Sequence, residues 1–232
     1  MDVEYLPEVH IERAASELLT AYCVRFEHPV APPVPAEEIL ECQLGLSLAF
    51  ADLRERFGQS DILGAIWVED GAVVIDESLD PDECPGQEGR YRFTVAHEVG
   101  HWALHRHQLI AAGKAGLFTE EKAPSVVCRD QPRSGKPRIE WQADAFASHL
   151  LMPEPLIRRS WAEVHGCPEP YVATGEWANR RARFGAREDE YPTVEVAHRM
   201  ATVFKVSGQA MQIRLLALGL ILEKQPPASL FG

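Results

Sequence analysis

His97-Glu98-Val99-Gly100-His101 is an HExxH motif. On an α-helix, residues four apart differ by about 40° in azimuth and about 6 Å in rise. His97 and His101 can therefore point two imidazoles at one ion. Glu98 lies about 100° from His97 and about 60° from His101 by the same geometry. It flanks the ion and can reach a water held there. Zinc lowers the pKa of such a water to about 7 and polarises a carbonyl. A neighbouring carboxylate can take the water's proton and pass it to a leaving amine. Amide hydrolysis needs both steps. A surface helix that merely carries two histidines has the same pattern.

A catalytic zinc site needs a third protein ligand and one open position. Three residues compete. His107 stands ten residues after His97, where the metzincin pattern has its third histidine, but that pattern needs Gly at 104 and this chain has Leu104. His105 continues the same helix, about 12 Å along the axis from His97, too far to close one site. Glu140 opens a second helical pattern, with Asp144 on the same face. Thermolysin-like zinc peptidases are similar in this order: HExxH, a glutamate ligand on another helix, an aspartate four residues on. The resemblance implies that Asp144 accepts the N–H of a ligating histidine and fixes its tautomer. Both acids also fit an ordinary solvated helix face. His149 lies about 180° round the helix from Glu140 and faces away from the ion.

The elements that must position these groups follow from the apolar spacing. Residues 8–25 predict an amphipathic helix. HPVAPPVP (28–35) is a stiff connector, since each proline fixes φ and disfavours helix before it. A second helix runs from Ala36 and stops before Gly45. Residues 46–50 and 63–68 read as strands, and Glu69-Asp70-Gly71 as the turn into a return strand at 72–76. Residues 78–89 read as a loop. Helices are expected over 90–107 and 139–153, with a long loop over 113–138 between them. A last helix pair covers Thr193–Phe204 and Gly208–Leu218.

The chain has 232 residues and a net charge of −12. Residues 1–89 hold 4 basic and 20 acidic side chains (−16), residues 90–232 hold 19 and 15 (+4). This balance disfavours a uniformly nucleic-acid-binding surface, and the acidic half can steer a basic partner. Five scattered cysteines with no CxxC pair argue against a disulfide framework or a thiolate zinc site, leaving buried free thiols. No apolar run approaches the roughly 20 residues of a membrane span. The acidic opening MDVEYLPEVH has no apolar run of a secretory signal, so the expected compartment is the cytoplasm.

FTVAHEVGHWALH (93–105) and IEWQADAFASHLLMP (139–153) resemble the ImmA/IrrE metallopeptidases, and VSGQAMQIRLLALGLI (206–221) is similar to their closing helices. The resemblance spans roughly residues 10–222. It implies an α+β fold: a mainly helical zincin-like core, a small antiparallel sheet or hairpin, and a C-terminal helix-turn-helix-like pair. It divides the chain into a metallopeptidase domain (1–192) and the helical pair (193–232). Carried over by position, His97, His101 and Glu140 match metal ligands, Glu98 the catalytic base, and Asp144 the residue that orients a ligand, where many members have Asn. The metal implied is Zn²⁺, with Mn²⁺ or Fe²⁺ able to replace it. The activity implied is cleavage of a helix-turn-helix transcriptional repressor, which derepresses stress or mobile-element genes. Segments 106–138 and 154–192 are long for a minimal member.

Two other readings compete with the peptidase: a module that binds a repressor without cutting it, and a DNA-binding regulator with a structural metal site. Against the second, the last helix carries only Arg214 as a basic residue, and a recognition helix usually needs more. The Arg-rich stretch 180–187 is the better basic patch. The hairpin 63–76, through strand Ala65–Val68, is the candidate for pairing with an extended substrate.

Overall fold

In helix α1 (Glu8–Phe26), Ile11, Ala15, Leu19 and Tyr22 recur every three or four residues and are the buried ones. The computed structural model describes residues 3–113, 124–130, 135–184 and 191–224. The prolines of 28–35 lead into a short helix, α2 (Ala36–Glu38), which widens into a π turn at Ile39–Gln43. Gly45 follows at φ 71°, as expected for the residue that ends that helix.

Strands β1 (Ser47–Ala51), β2 (Ile62–Trp67), β3 (Ala72–Asp76) and β4 (Val126–Arg129) form one sheet in the order β1-β3-β2-β4. The hairpin β2–β3 is antiparallel, as its turn predicts, and β4 adds antiparallel to β2. β1 pairs parallel to β3, so the sheet is mixed. A short helix, α3 (Leu53–Phe57), makes that parallel crossover possible. All six residues of β2 are buried. Ala65 and Trp67 pack with Leu53 of α3. The other face of β2 meets α4 (Glu88–Gly100).

This topology corrects the reading of the hairpin as the strand that pairs with a substrate. Both of its strands are interior, and among the described residues the edges are β1 and β4. β4 itself lies within 113–138, where a loop was expected.

The zinc-motif helix is longer than the pattern predicts. α4 passes into a π segment at His101–His105 and then α5 (Arg106–Gly113). Helix α6 (Arg138–Leu151) packs against both α4 and α1.

Contacts divide the chain into two compact units, Met1–Pro153 and Glu154–Gly232, rather than after residue 192. The second unit holds α7 (Glu154–His165), β5 (Tyr171–Val172), α8 (Thr174–Phe184), α9 (Glu195–Phe204), α10 (Gly208–Ala217) and β6 (Ile221–Leu222). α7 packs on α9, and β5 pairs parallel to β6, so the described residues of 154–184 fold with the terminal helices. Ser207 caps α10 by accepting from the Ala210 N–H. Among the described residues, no helix is long and apolar enough to cross a membrane.

Candidate metal centre

α4 and α6 bring the expected residues together, and a glycine sets how closely. A Cβ on Gly100 would meet Ala143 Cα, Ala143 O and Phe146 Cβ, each at 3.2 Å. The bare backbone lets α6 lie directly on the motif helix. His97 and His101 then face Glu140 across the contact. His97 Nε2 and His101 Nε2 are 2.9 Å apart. Glu140 Oε2 is 3.2 Å from His97 Nε2, and Oε1 is 3.4 Å from His101 Nε2. Both histidines are fully buried, and Glu140 is 8% exposed.

The hydrogen-bond network assigns the tautomers. Asp144 Oδ1 lies 2.9 Å from His97 Nδ1, so His97 carries its proton there and turns a lone pair inward at Nε2. Asp144 is held in turn by Lys136 Nζ at 2.6 Å. On the other side, Gln142 Nε2 donates to the Glu4 carbonyl at 2.8 Å. That fixes Gln142 Oε1 as an acceptor for His105 Nε2–H, at 2.8 Å. His105 Nδ1 is then an acceptor, 3.2 Å from His101 Nδ1, which donates to it. His101 is left with a lone pair at Nε2. Two imidazole lone pairs and a carboxylate therefore converge on one point.

Three acceptors in van der Waals contact need a cation between them. Their spacing of 2.9–3.4 Å is that of donors around one ion with bonds of about 2.0–2.1 Å. The residues fit a metal ion. Burial alone would lower the pKa of His97, but Cys128, Asp144 and Glu140 outweigh it and hold the pKa well above the ordinary value. A proton there answers the same need as an ion. Burial pushes His101 down to about 4, which keeps it neutral at pH 7. Glu140 is below the carboxylate range: burial would raise it, and hydrogen bonds to His101 and His97 prevail.

Glu98 is fully buried beside this point, and among the described residues neither of its oxygens has a hydrogen-bond partner. Burial is the main reason its pKa rises to about 8. β2 leaves room for it through Gly64, whose Cβ would lie 2.8 Å from Thr94 Cγ2 and 3.0 Å from Glu98 Oε1.

His105 is no third ligand, but it is not idle. The π segment sets its ring beside that of His101, with centroids 5.3 Å apart. His107 is exposed. His149 is buried on the opposite face of α6, with Nε2 3.3 Å from Glu8 and Nδ1 3.4 Å from Glu12. Sequence reasoning missed the roles of Gln142, Lys136 and Cys128. Cys128 sits on β4 within hydrogen-bonding reach of His97. The adjacent β-branched pair Val126-Val127 was the one local hint of that strand, too short to define it. A pocket of about 240 Å³ opens beside Glu140, walled by Leu109, Val126, Val127, Pro137 and Ile139, with Arg129 lining it too.

A motif helix beneath a mixed sheet, with its glutamate partner on a crossing helix, is the architecture of a metallopeptidase-type centre. Residues 52–216 match the family described as IrrE N-terminal-like domain, a peptidase family, and the chain belongs to it. No curated protein matches the sequence. Among solved structures, the chain is similar to a Mycobacterium tuberculosis transcriptional regulator, at 13% identity and a TM-score of 0.43. The match covers 90% of this chain and 46% of that one, so the chain spans about half the length of that structure.

Proposed function

We propose that the protein is a cytoplasmic zinc-dependent endopeptidase that cuts a helix-turn-helix transcriptional repressor. The observation that carries the catalytic part is the convergence of His97, His101 and Glu140 beside a buried, unpartnered Glu98. Zinc held by those three residues would polarise the scissile carbonyl and ease deprotonation of water, and manganese or iron could serve in its place. Glu98 accepts the proton of the attacking water at a carboxylate oxygen. The same oxygen can return that proton to the leaving amine. Asp144 and the Gln142–His105 relay keep both imidazoles turned the right way. The apolar pocket beside Glu140 suits an apolar substrate side chain next to the cut.

The repressor as substrate rests on the family resemblance. Charge supports it: residues 1–153 carry 13 basic and 26 acidic side chains, a net −13. DNA-binding repressors are basic, and this unit attracts such a partner. For direct DNA binding there is less support. Arg214, the only basic residue of α10, is 6% exposed. Of the Arg-rich stretch 180–187, Arg180, Arg181 and Arg183 lie on α8, and residues 185–187 fall outside the described residues.

The test is the metal content of the purified protein beside Glu140→Ala, followed by incubation with a helix-turn-helix repressor from the same organism. About one equivalent of metal is expected in the wild type and little in the variant. Fragments are expected from the wild type and none from Glu98→Gln. Absence of metal after reconstitution overturns the reading. Equal complex formation without fragments from either protein means a binding module.

A further inference from the structure

The chain of hydrogen bonds behind His101 has one member whose direction cannot reverse. Ring nitrogens donate or accept according to tautomer, and a side-chain amide can turn over, exchanging oxygen for nitrogen. A backbone carbonyl only accepts. Here that carbonyl belongs to Glu4, which receives Gln142 Nε2–H at 2.8 Å. Gln142 is wholly buried, so both ends of its amide need partners. With Nε2 committed to Glu4, Oε1 faces His105 and accepts from its Nε2–H at 2.8 Å. His105 Nδ1 then accepts from His101 Nδ1–H at 3.2 Å, and His101 keeps its lone pair at Nε2.

With the amide turned over, the same chain runs backwards. Gln142 Nε2 donates to His105 Nε2, His105 donates from Nδ1 to His101 Nδ1, and His101 carries its proton at Nε2. Each ring still holds one proton, so no net ionisation is involved. One proton leaves His105 Nε2 for water, one passes from His101 Nδ1 to His105 Nδ1, and one arrives from water at His101 Nε2. That last proton faces Glu140 Oε1, 3.4 Å from the nitrogen. The reversed chain therefore suits a centre without an ion and denies His101 to a metal.

What holds the Glu4 carbonyl in place is the segment around it. Val3 is buried, and its carbonyl accepts from Arg138 Nη1 at 2.7 Å. Tyr5 stacks on Trp141, with centroids 6.4 Å apart and 14° between the ring planes. Arg138, Trp141 and Gln142 stand at i, i+3 and i+4 on α6, one side of that helix. Residues 3–5 thus form a strap over the start of the helix that carries Glu140.

We infer that this strap arms the metal centre: through the Glu4 carbonyl it holds the Gln142–His105–His101 chain in the one direction that leaves a lone pair for a metal, and lifting it lets the chain reverse. The inference rests on the metal-centre reading above. Gln142 and His105 are positioning residues, and the strap decides which way they point. Such coupling is reciprocal, so an ion at His101 tightens the strap by as much as the strap tightens the ion.

The test uses the full chain, metal-free and zinc-loaded. Heteronuclear NMR tells a protonated ring nitrogen from one with a lone pair, and His105 of the wild type is expected to carry its proton at Nε2 in both forms. Val3→Asp sets a charge where the strap is buried and lifts it. In that variant His105 should carry its proton at Nδ1 without metal, and zinc affinity should fall by about 10–100-fold, the usual effect of losing a group that orients a ligand. Adding Gln142→Glu to Val3→Asp should restore the affinity, because a carboxylate accepts from His105 with no strap to direct it. Hydrogen exchange on the wild type needs no variant, and zinc should slow it at residues 3–5. A proton at Nδ1 of His105 in the wild type, a loss that Gln142→Glu leaves unrepaired, or strap exchange indifferent to zinc overturns the inference while the metal centre stands. A wild type that takes up no zinc overturns both.

Discussion

Both oxygens of Glu98 are buried without a partner among the described residues, and burial raises the pKa of the group to about 8 from an ordinary 4.5. The fold therefore favours the neutral acid. The stability this contributes is fully present below about pH 4.5 and is lost as pH rises through 8. In metal-stripped protein, Glu98→Gln cannot ionise and escapes that loss. Denaturant titrations from pH 5 to pH 9 should show the variant gaining on the wild type as pH rises, by on the order of several kcal/mol. An unchanged gap across that range would contradict the assignment of Glu98 as the sealed base. At this scale the sequence was most informative. HExxH fixes residue types and a helical spacing, and Glu140-x-x-x-Asp144 fixes a second face. Gln142 was not legible, because its role depends on where Nε2 finds the Glu4 carbonyl, 138 positions away.

Between α4 and α6 the spacing is set by Gly100. A methyl group there would press on Ala143 and Phe146 at 3.2 Å, contacts that include α6 backbone. Gly100→Ala is expected to destabilise the fold by about 1–3 kcal/mol, the usual cost of overpacking. It should also weaken metal binding, because Glu140 rides on α6 while both histidines ride on the other helix. Thermal unfolding and a competitive zinc chelator titration check the two effects, and a variant with wild-type metal affinity would mean that α6 yields without moving Glu140. Helices α1, α4 and α6 were readable because their apolar residues recur at helical spacing. β4 was not. It is four residues long, it is set among Gly, Pro and charge, and its pairing to β2 is a long-range contact that local composition does not encode. The π segment at His101–His105 was also hidden, since an apolar pattern cannot distinguish a wide turn from an ordinary one.

Charge acts on the scale of the whole chain. Residues 1–153 carry net −13, whereas 154–232 hold 10 basic and 9 acidic side chains, net +1. If a basic repressor is the partner, its association rate should fall steeply as salt rises towards physiological strength, while turnover at saturation changes little. Stopped-flow association and cleavage rates at several salt concentrations check this, and a salt-independent association rate would remove the electrostatic argument. The boundary after Pro153 was not readable, because LLMP ends a helix without showing what the next one packs on. Arg138 donates to the Val3 carbonyl and Gln142 to that of Glu4. In translation, the ribosome must add well over a hundred residues after Val3 and Glu4 before Gln142 is made. The motif helix is finished long before its imidazoles can be turned for a cation. A nascent chain of this protein carries the HExxH motif while lacking the last contact that orients its histidines.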